Sequence, residues 1–548
     1  MRSNNFEVLL GDHKARKPGS GLMRHFLNWG STKSGAASEV EIGEPLQNPP
    51  RPRSIWTIPD SVLDAIYYLA LAVAISIWFI AIRAPLWLDE TYSYWQISTG
   101  FSGIWPRRLE SLCFPAYSYI LWLSTKIIGS SEMALRIPSI LAMLVAMYLL
   151  YLAARELFER DIAIIAAIIF CLHPIVIFES IDVRPYAFAV LATNASILIL
   201  LRLRSSSSTW LAALFGLTAA WIVWFHYLFA AILPALMLCF FLAKICDRKA
   251  LWRQFGVAVA AFALTSLPVI PGLLFLFHTA RTYVYESAPN LTDLVWTLAP
   301  GWLLLTFAMI ALITAAKTRP NQQVHFEGWQ ILFCTSLALI PVLILYGVSA
   351  WTPIHCFALR HRLDAIPGIA LCWAMLLSLF RSRAVRLLFC IVLVASTAYS
   401  YYSSPYSKQH GSTWKYALEY AEKNASADNA PVVLCSSFVE TNPLTRPLDM
   451  EKDSIYFASL TYYRLSVPVV PLPMALNDEA IKAGTRFLQE ATLKHERFLA
   501  LSEIRSYKTL DWLTSSAAAT HTVRTLGVFG GIKVLEFVPR TGLTPKSD

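Results

Sequence analysis

The sequence predicts a mainly α-helical, polytopic membrane helix bundle of about 11 spans, followed by a C-terminal extracytoplasmic α/β domain. Of its 548 residues, 56% are hydrophobic and only 15% are charged, whereas soluble domains average about 25% charged residues. The apolar runs are long and do not alternate with polar residues. A bilayer admits only helices or closed barrels, because every backbone polar group must be paired internally. Long unbroken runs indicate helices.

The spans follow from the positions of these runs. We expect them at Ser61–Ile82 and Met133–Ala154, in pairs within Ile162–Arg202, Trp210–Lys244, Phe255–Ala316 and Trp329–Phe380, and at Val385–Tyr402. Basic residues concentrate in alternate short loops, which the positive-inside rule assigns to the cytoplasm. These loops carry Arg155 and Arg160, then Arg202 and Arg204, then Lys244, Arg248 and Lys249, then Lys317 and Arg319, then Arg381, Arg383 and Arg386.

This charge pattern predicts three regions in a multi-pass protein of the cell inner (plasma) membrane. Residues 1–60 form a disordered cytoplasmic tail, because they are rich in Lys, Arg, Gly, Ser and Pro and hold no apolar core. Residues 61–402 form the transmembrane domain. Residues 403–548 form a periplasmic or extracytoplasmic α/β domain, with a helix near Trp414–Lys423 and strands near Pro431–Phe438 and Lys533–Val538.

One apolar run is too short to be a span. Counting Phe114–Ile128 as a span would invert every later loop against the charge rule, so we expect an interfacial or re-entrant helix there. The net charge of +10 is then mostly a topology signal and does not imply nucleic-acid binding. The nine cysteines lie mostly inside spans and form no CxxC motif, so neither a disulfide framework nor a zinc site is indicated.

The first candidate site residues are Asp89 and Glu90, at the outer end of the first span within LWLDETYSYW. Ionisable groups near a bilayer are costly and usually functional. Adjacent carboxylates repel, so one can hold a raised pKa while its neighbour stays ionised, which suits a general base beside a binding partner. The alternative is structural, since Asp and Glu are favoured at the start of a helix.

A second candidate is the outer turn FESIDVRPYAF, where Glu179 and Asp182 flank Arg184 and Tyr186 follows Pro185. An arginine here could bind a phosphate through two parallel hydrogen bonds. The alternative is an Asp182 and Arg184 pair that only orders the turn.

Weaker signals lie at other outer helix ends. They are His226 and Tyr227, a tyrosine-rich loop at Arg281–Asp293, and Arg360, His361 and Arg362. The arginines put positive charge where the rule predicts little, and His226 alone is more often a structural residue. Outer arginines and rings beside two carboxylates suit an anionic, sugar-bearing lipid better than an ion pathway, because transporter sites lie near the midplane and these spans carry almost no charge.

At these residues the sequence resembles the polyprenyl-phosphate-sugar-dependent membrane glycosyltransferases of the GT-C fold, in the protein O-mannosyltransferase and lipid A aminoarabinose transferase group. The resemblance covers about Leu63 to Phe380. It rests on the acidic pair after the first span, on GSSEMALRIPS at Gly129–Ser139, and on the pattern of Asp182, Arg184 and Tyr186. It also includes the pair His226 and Tyr227 and the pair Arg360 and Pro367, with His361 in place of the usual Tyr.

The resemblance implies an inverting glycosyltransferase that moves a sugar from a polyprenyl-phosphate-linked donor to a protein, lipid or glycan acceptor of the cell envelope, at the outer membrane face. It assigns catalysis to Asp89 with Glu90 assisting. We assign donor phosphate binding to Arg184 and Arg360, and substrate contacts to Asp182, Tyr186, His226 and Tyr227.

The leaving group is already an anion, so no general acid is needed. Arginines or a divalent metal would stabilise its charge, and the sequence does not decide which cofactor, if any, takes part. We expect the C-terminal domain to position the acceptor without a catalytic group. The alternative functions are a transporter or flippase of lipid-linked sugars without catalysis, and a scaffold that assembles other envelope proteins through its outer domain.

Overall fold

The structure is a computed structural model, and it describes residues 59–111, 115–244, 248–279, 287–299, 301–315, 326–380, 382–403, 413–444 and 446–540. The predicted N-terminal tail therefore lies almost wholly outside the described residues, as do residues 281–286 of the tyrosine-rich loop.

Helices occupy every segment where a span was predicted. They are α1 (Asp60–Trp78), α5 (Glu132–Leu157), α6 (Arg160–Leu172), α7 (Pro174–Glu179), α8 (Tyr186–Arg204), α9 (Thr209–Phe225), α10 (Leu233–Lys244), α11 (Arg248–Ser266), α12 (Ile270–Thr279), α14 (Gly301–Ala315), α15 (Gly328–Trp351), α16 (Ile366–Ser378) and α17 (Arg383–Ser403). Within the described residues, six helical segments are long and apolar enough to cross a bilayer, and shorter apolar helices accompany them. The predicted polytopic helical fold is confirmed.

Several helices are interrupted where proline removes a backbone donor. Pro174 separates α6 from α7, and a 3₁₀ turn at Leu267–Val269, which contains Pro268, separates α11 from α12. Close helix packing uses small residues. A Cβ atom built on Gly216 of α9 would lie 2.1 Å from the Ala258 carbonyl oxygen of α11, so only glycine permits this approach.

Three short helices lie between the first two long ones. They are α2 (Leu88–Ile97), α3 (Phe101–Ser111) and α4 (Pro115–Ile128), and a fourth, α13 (Leu291–Leu298), precedes α14. Helix α4 has 14 residues, which at 1.5 Å per residue is too short to cross a bilayer, as the sequence predicted.

The opposite end of the bundle is held by ion pairs between α1, α6 and α17. Arg383 contacts Asp64 at 2.5 Å and Asp60 at 2.7 Å, and Arg386 contacts Asp161 at 2.7 Å. Arg386 and Asp161 have side chains only 8% exposed. Arg383 and Arg386, which the sequence analysis counted as basic loop charges, therefore also join α1, α6 and α17.

The C-terminal domain is an α/β structure, as predicted. Its elements are α18 (Trp414–Ala425), β1 (Val432–Cys435), α19 (Ala458–Tyr462), β2 (Val469–Leu472), α20 (Asp478–Leu493), β3 (Phe498–Glu503), α21 (Tyr507–Ala517), β4 (His521–Phe529) and β5 (Ile532–Pro539). The sheet order is β2-β1-β3-β5-β4, in which β1 is parallel to both neighbours and the β3, β5 and β4 pairings are antiparallel. Both faces of β1 are buried, which explains its continuous apolar run.

Candidate active site at the junction of the bundle and the C-terminal domain

The acidic pair opens helix α2, and its two carboxylates have different roles. Glu90 occupies the third position of the helix, and its Oε2 atom accepts a hydrogen bond from the Trp87 backbone N–H at 3.1 Å. This contact satisfies one of the amide donors that every helix start leaves unpaired. The sequence left open that Asp89 and Glu90 only start a helix, and Glu90 has that structural role.

Glu90 is also fixed by a buried arginine. Arg136 of α5 donates from Nε to Oε1 at 2.9 Å and from Nη2 to Oε2 at 2.6 Å, and neither side chain is more than 1% exposed. The Val183 backbone N–H donates to Oε1 at 3.1 Å. Because protein groups occupy both carboxylate oxygens, Glu90 orients the helix and is poorly placed to contact an acceptor, unlike the assisting role expected from the sequence.

Arg136 also holds the segment that precedes α2. Its Nη1 atom donates to the Ile82 and Ala84 carbonyl oxygens at 3.0 and 2.6 Å, and Nη2 donates to the Pro85 carbonyl oxygen at 3.2 Å. One side chain thus connects the end of the first span, the start of α2 and the second span.

Asp89, by contrast, is accessible and faces arginine. Its Oδ2 atom lies 3.2 Å from Nη1 of Arg360, with the two side chains 22% and 19% exposed. Arg184 approaches from the turn before α8, with Nη1 3.4 Å from the Asp89 carbonyl oxygen and its guanidinium 5.6 Å from the Tyr92 ring centre. Three segments that are distant in the sequence thus meet at Asp89.

The turn 178–188 adds a pair of buried carboxyl groups. Asp182 is 3% exposed and accepts a hydrogen bond from the Trp87 indole at 2.9 Å. Glu179, 4% exposed, lies beside it. Burial raises the pKa of both groups, and the charges of Glu179 and Glu90 further raise the pKa of Asp182, so the pair favours a shared proton over two negative charges. The sequence placed Glu179 in the second candidate turn but assigned it no role.

Aromatic rings form one wall beside the arginines. The His226 ring lies 5.1 Å from Tyr186, 5.2 Å from Tyr227 and 5.4 Å from His361, measured between ring centres. Arg184 lies 5.7 Å from the Tyr186 ring centre. The residues selected for substrate contact therefore lie together. Ring faces next to guanidinium groups suit a ligand with an apolar or sugar portion attached to an anion.

Two further arginines, Arg107 and Arg362, have structural partners. Arg107 lies over the Trp95 ring at 4.0 Å from its centre, and Arg362 donates to Thr297 Oγ1 at 2.6 Å. Among the described residues, no group of three or more His, Cys, Asp and Glu side chains has the arrangement of a metal site.

Comparisons with known proteins agree with this architecture. The family described as dolichyl-phosphate-mannose-protein mannosyltransferase matches residues 114–275. None of the curated proteins compared with the sequence matches it significantly. The crystal structure of apo ArnT from Cupriavidus metallidurans is 11% identical with a TM-score of 0.51, covering 87% of this chain and 98% of that chain.

Two other solved structures are less similar in shape. Archaeal oligosaccharyltransferase AglB from Archaeoglobus fulgidus is 12% identical with a TM-score of 0.42, covering 89% of this chain and 75% of that one. Mycobacterial arabinofuranosyltransferase AftD is 14% identical with a TM-score of 0.44, covering 88% and 42%. The fold rests on the ArnT match, and the family match supports a glycosyltransferase. The chain has the GT-C fold and is similar to the protein O-mannosyltransferase and lipid A aminoarabinose transferase group, as the sequence predicted.

Proposed function

We propose that this protein is an inverting glycosyltransferase that moves a sugar from a polyprenyl-phosphate-linked donor to an acceptor at the outer membrane face. The observation that supports it most is the meeting of Asp89, Arg184 and Arg360 at the helix end that adjoins the C-terminal domain. A carboxylate beside two arginines supplies a proton acceptor and an anion site within one substrate's reach.

In this reaction the acceptor oxygen forms a bond to the anomeric carbon, and the bond from that carbon to the phosphate oxygen breaks. The bonding electrons leave with the polyprenyl phosphate, and the acceptor proton moves to the Asp89 carboxylate. Attack from the face opposite the departing phosphate inverts the anomeric centre. The arginines stabilise the negative charge that develops on the phosphate.

Donor binding prepares the base. Arg360 pairs with Asp89 at 3.2 Å. A phosphate offers arginine a bidentate, charge-assisted partner and competes for the same guanidinium. Donor binding therefore frees Asp89 for the acceptor, so that the base becomes available only when a leaving group is present.

The remaining residues bind the substrate or position α2. Tyr186, His226 and Tyr227 contact the sugar or the first lipid unit, and Asp182 holds α2 through the Trp87 indole. Glu90 acts as a positioning residue through Arg136. The chain crosses the inner membrane with residues 1–60 in the cytoplasm, the 61–402 bundle as glycosyltransferase domain, and the 403–548 domain outside.

The test is product formation by the purified protein in nanodiscs. Polyprenyl-phosphate donors carrying radiolabelled mannose, glucose or arabinose are supplied with membranes as the source of acceptor. One donor should give labelled product and free polyprenyl phosphate, and Asp89→Asn should lower the rate about 10²- to 10⁴-fold. The control is Asp511→Asn, an exposed aspartate of α21. Donor movement across a bilayer without product would support a flippase instead.

A further inference from the structure

Helix α2 is held from two sides, and the second side is the C-terminal domain. Leu88, next to Asp89, is 8% exposed and belongs to that domain's own apolar core. Its buried companions there include Trp414, Leu418, Val432, Leu434, Phe457, Leu499 and Val534. The proposed base therefore stands on a helix that is part of both domains.

Aromatic and polar contacts extend this junction along α2. The Phe438 ring lies 6.0 Å from the Tyr92 ring, and the Trp95 indole donates to Ser454 Oγ at 3.1 Å. Tyr92 is also the ring beneath the Arg184 guanidinium. The segment after β1 thus contacts Tyr92, whose ring lies beneath Arg184, a residue proposed to bind the donor phosphate.

The short turn Val439–Thr441 follows Phe438 and carries Glu440. Glu440 is partly buried, and no ion pair among the described residues involves it. Burial raises its pKa to about 7, and the nearby Asp89 carboxylate adds to the increase. The contact between Phe438 and Tyr92 thus brings the turn that carries Glu440 against α2, the helix that carries Asp89.

We propose that Glu440 is an acceptor-binding residue that accepts a hydrogen bond from a hydroxyl or amine group of the acceptor, beside the position where Asp89 takes the reacting proton. This inference rests on the proposed function. The arginines serve the donor phosphate, so an acceptor that meets Glu440 must bring its own hydrogen-bond donors. Neutral or cationic acceptors rich in hydroxyl or amine groups fit this environment, and anionic acceptors are repelled.

The experiment compares two reactions of the same donor. With polyprenyl-phosphate mannose as the probe, hydrolysis to free sugar uses water as acceptor, whereas transfer uses the acceptors in a membrane fraction. Glu440→Gln should lower transfer about 10- to 100-fold, the effect of losing a charged hydrogen bond, while hydrolysis and donor KM change less than about twofold. The matched control is Glu490→Gln, on an exposed position of α20.

Folding is checked by thermal unfolding. Burial disfavours the charged form of Glu440, so the neutral Gln should unfold at the same temperature or higher. Transfer by Glu440→Gln within about threefold of wild type, or an equal loss of hydrolysis and transfer, would overturn this inference alone. Absence of both reactions in the wild-type protein, with every donor supplied, would instead overturn the proposed function on which it rests.

Discussion

Asp89 and Glu90 are adjacent in the chain, yet they serve different partners. Successive helix residues point about 100° apart, so the two carboxylates cannot share one environment. Asp89 meets Arg360 in a half-open setting, and Glu90 meets Arg136 in a closed one. The acidic pair is therefore one proposed base and one structural acid.

Glu90→Gln is expected to lower stability more than it lowers the activity of the folded fraction. It leaves the buried Arg136 charge without its counterion, which typically costs about 3 to 5 kcal/mol. Thermal unfolding and activity per folded molecule separate the two effects. Asp89→Asn supplies the contrast, because it should keep its melting temperature and lose activity. Unchanged stability in Glu90→Gln would contradict the structural role.

The pH dependence of transfer should report Glu440. The folded-state pKa of about 7 lies above the ordinary value of 4.5, so its contribution to stability is present below pH 4.5 and is lost as pH rises through 7. Acceptor binding needs the charged form, so kcat/KM for the acceptor should rise through about pH 7. The charge of Asp89 raises the pKa of Glu440, and the charge of Glu440 raises the pKa of Tyr456. Glu440→Gln should lack this rise, and an unchanged profile would count against ionised Glu440 in acceptor binding.

At the scale of elements, the bundle is fastened at both ends by charged contacts between helices. One end carries the proposed site, and the other carries Arg383, Arg386 and their aspartates. The two sets share no residue, so substitutions at the far end test stability without touching the proposed chemistry.

Arg386→Ala should destabilise the bundle by about 3 to 5 kcal/mol, because it leaves Asp161 buried without its closest cation. The control is Arg160→Ala, whose side chain is 54% exposed and whose pair with Asp64 spans 3.7 Å, so its cost should stay below about 1 kcal/mol. Unfolding in detergent measures both. Equal melting temperatures for the two variants would contradict the ranking.

Hydropathy and charge predicted the helical segments well because each signal is local. The 14-residue α4 was separated from true spans by length, and β1 and β5 were found from their apolar runs. The candidate site residues were found because charges at helix ends are costly.

Other features could not be predicted because they are tertiary. Arg136 belongs to a motif shared with the family. The sequence around it does not indicate that its partner is Glu90, 46 residues earlier in the chain. Glu440 and Phe438 sit in a region without a motif, and only the fold brings them to α2. We expected the C-terminal domain to contribute to acceptor placement alone, yet it also packs against the helix that carries Asp89.

The molecule as a whole behaves as one unit across this junction. The Leu86 N–H donates to the Tyr463 hydroxyl at 2.7 Å, Lys415 pairs with Glu132 at 3.0 Å, and the Tyr462 hydroxyl donates to the Ser130 carbonyl at 2.8 Å. Apolar burial of Leu88 adds to these bonds. The C-terminal domain is thus attached to the bundle by these contacts as well as by the polypeptide chain.

A protease site placed within residues 404–412 should therefore cut the chain without releasing the C-terminal domain. The cut domain should copurify with the bundle in mild detergent, and any donor turnover should persist. Adding Leu88→Asp, which puts a charge into the shared core, should release it. Release of the domain by cleavage alone would show that the linker, and not the junction, holds it.

The buried pair of Glu90 and Arg136 also bears on biosynthesis. Arg136 lies near the start of the second long helix, so α2 emerges from the ribosome before the residue that fixes it has been made. Its other support arrives much later, since Trp95 awaits Ser454 359 residues further along the chain. The proposed centre can therefore be completed only after synthesis of nearly the whole polypeptide, and a nascent or truncated chain in the membrane would carry the acidic helix without the surroundings that make it reactive.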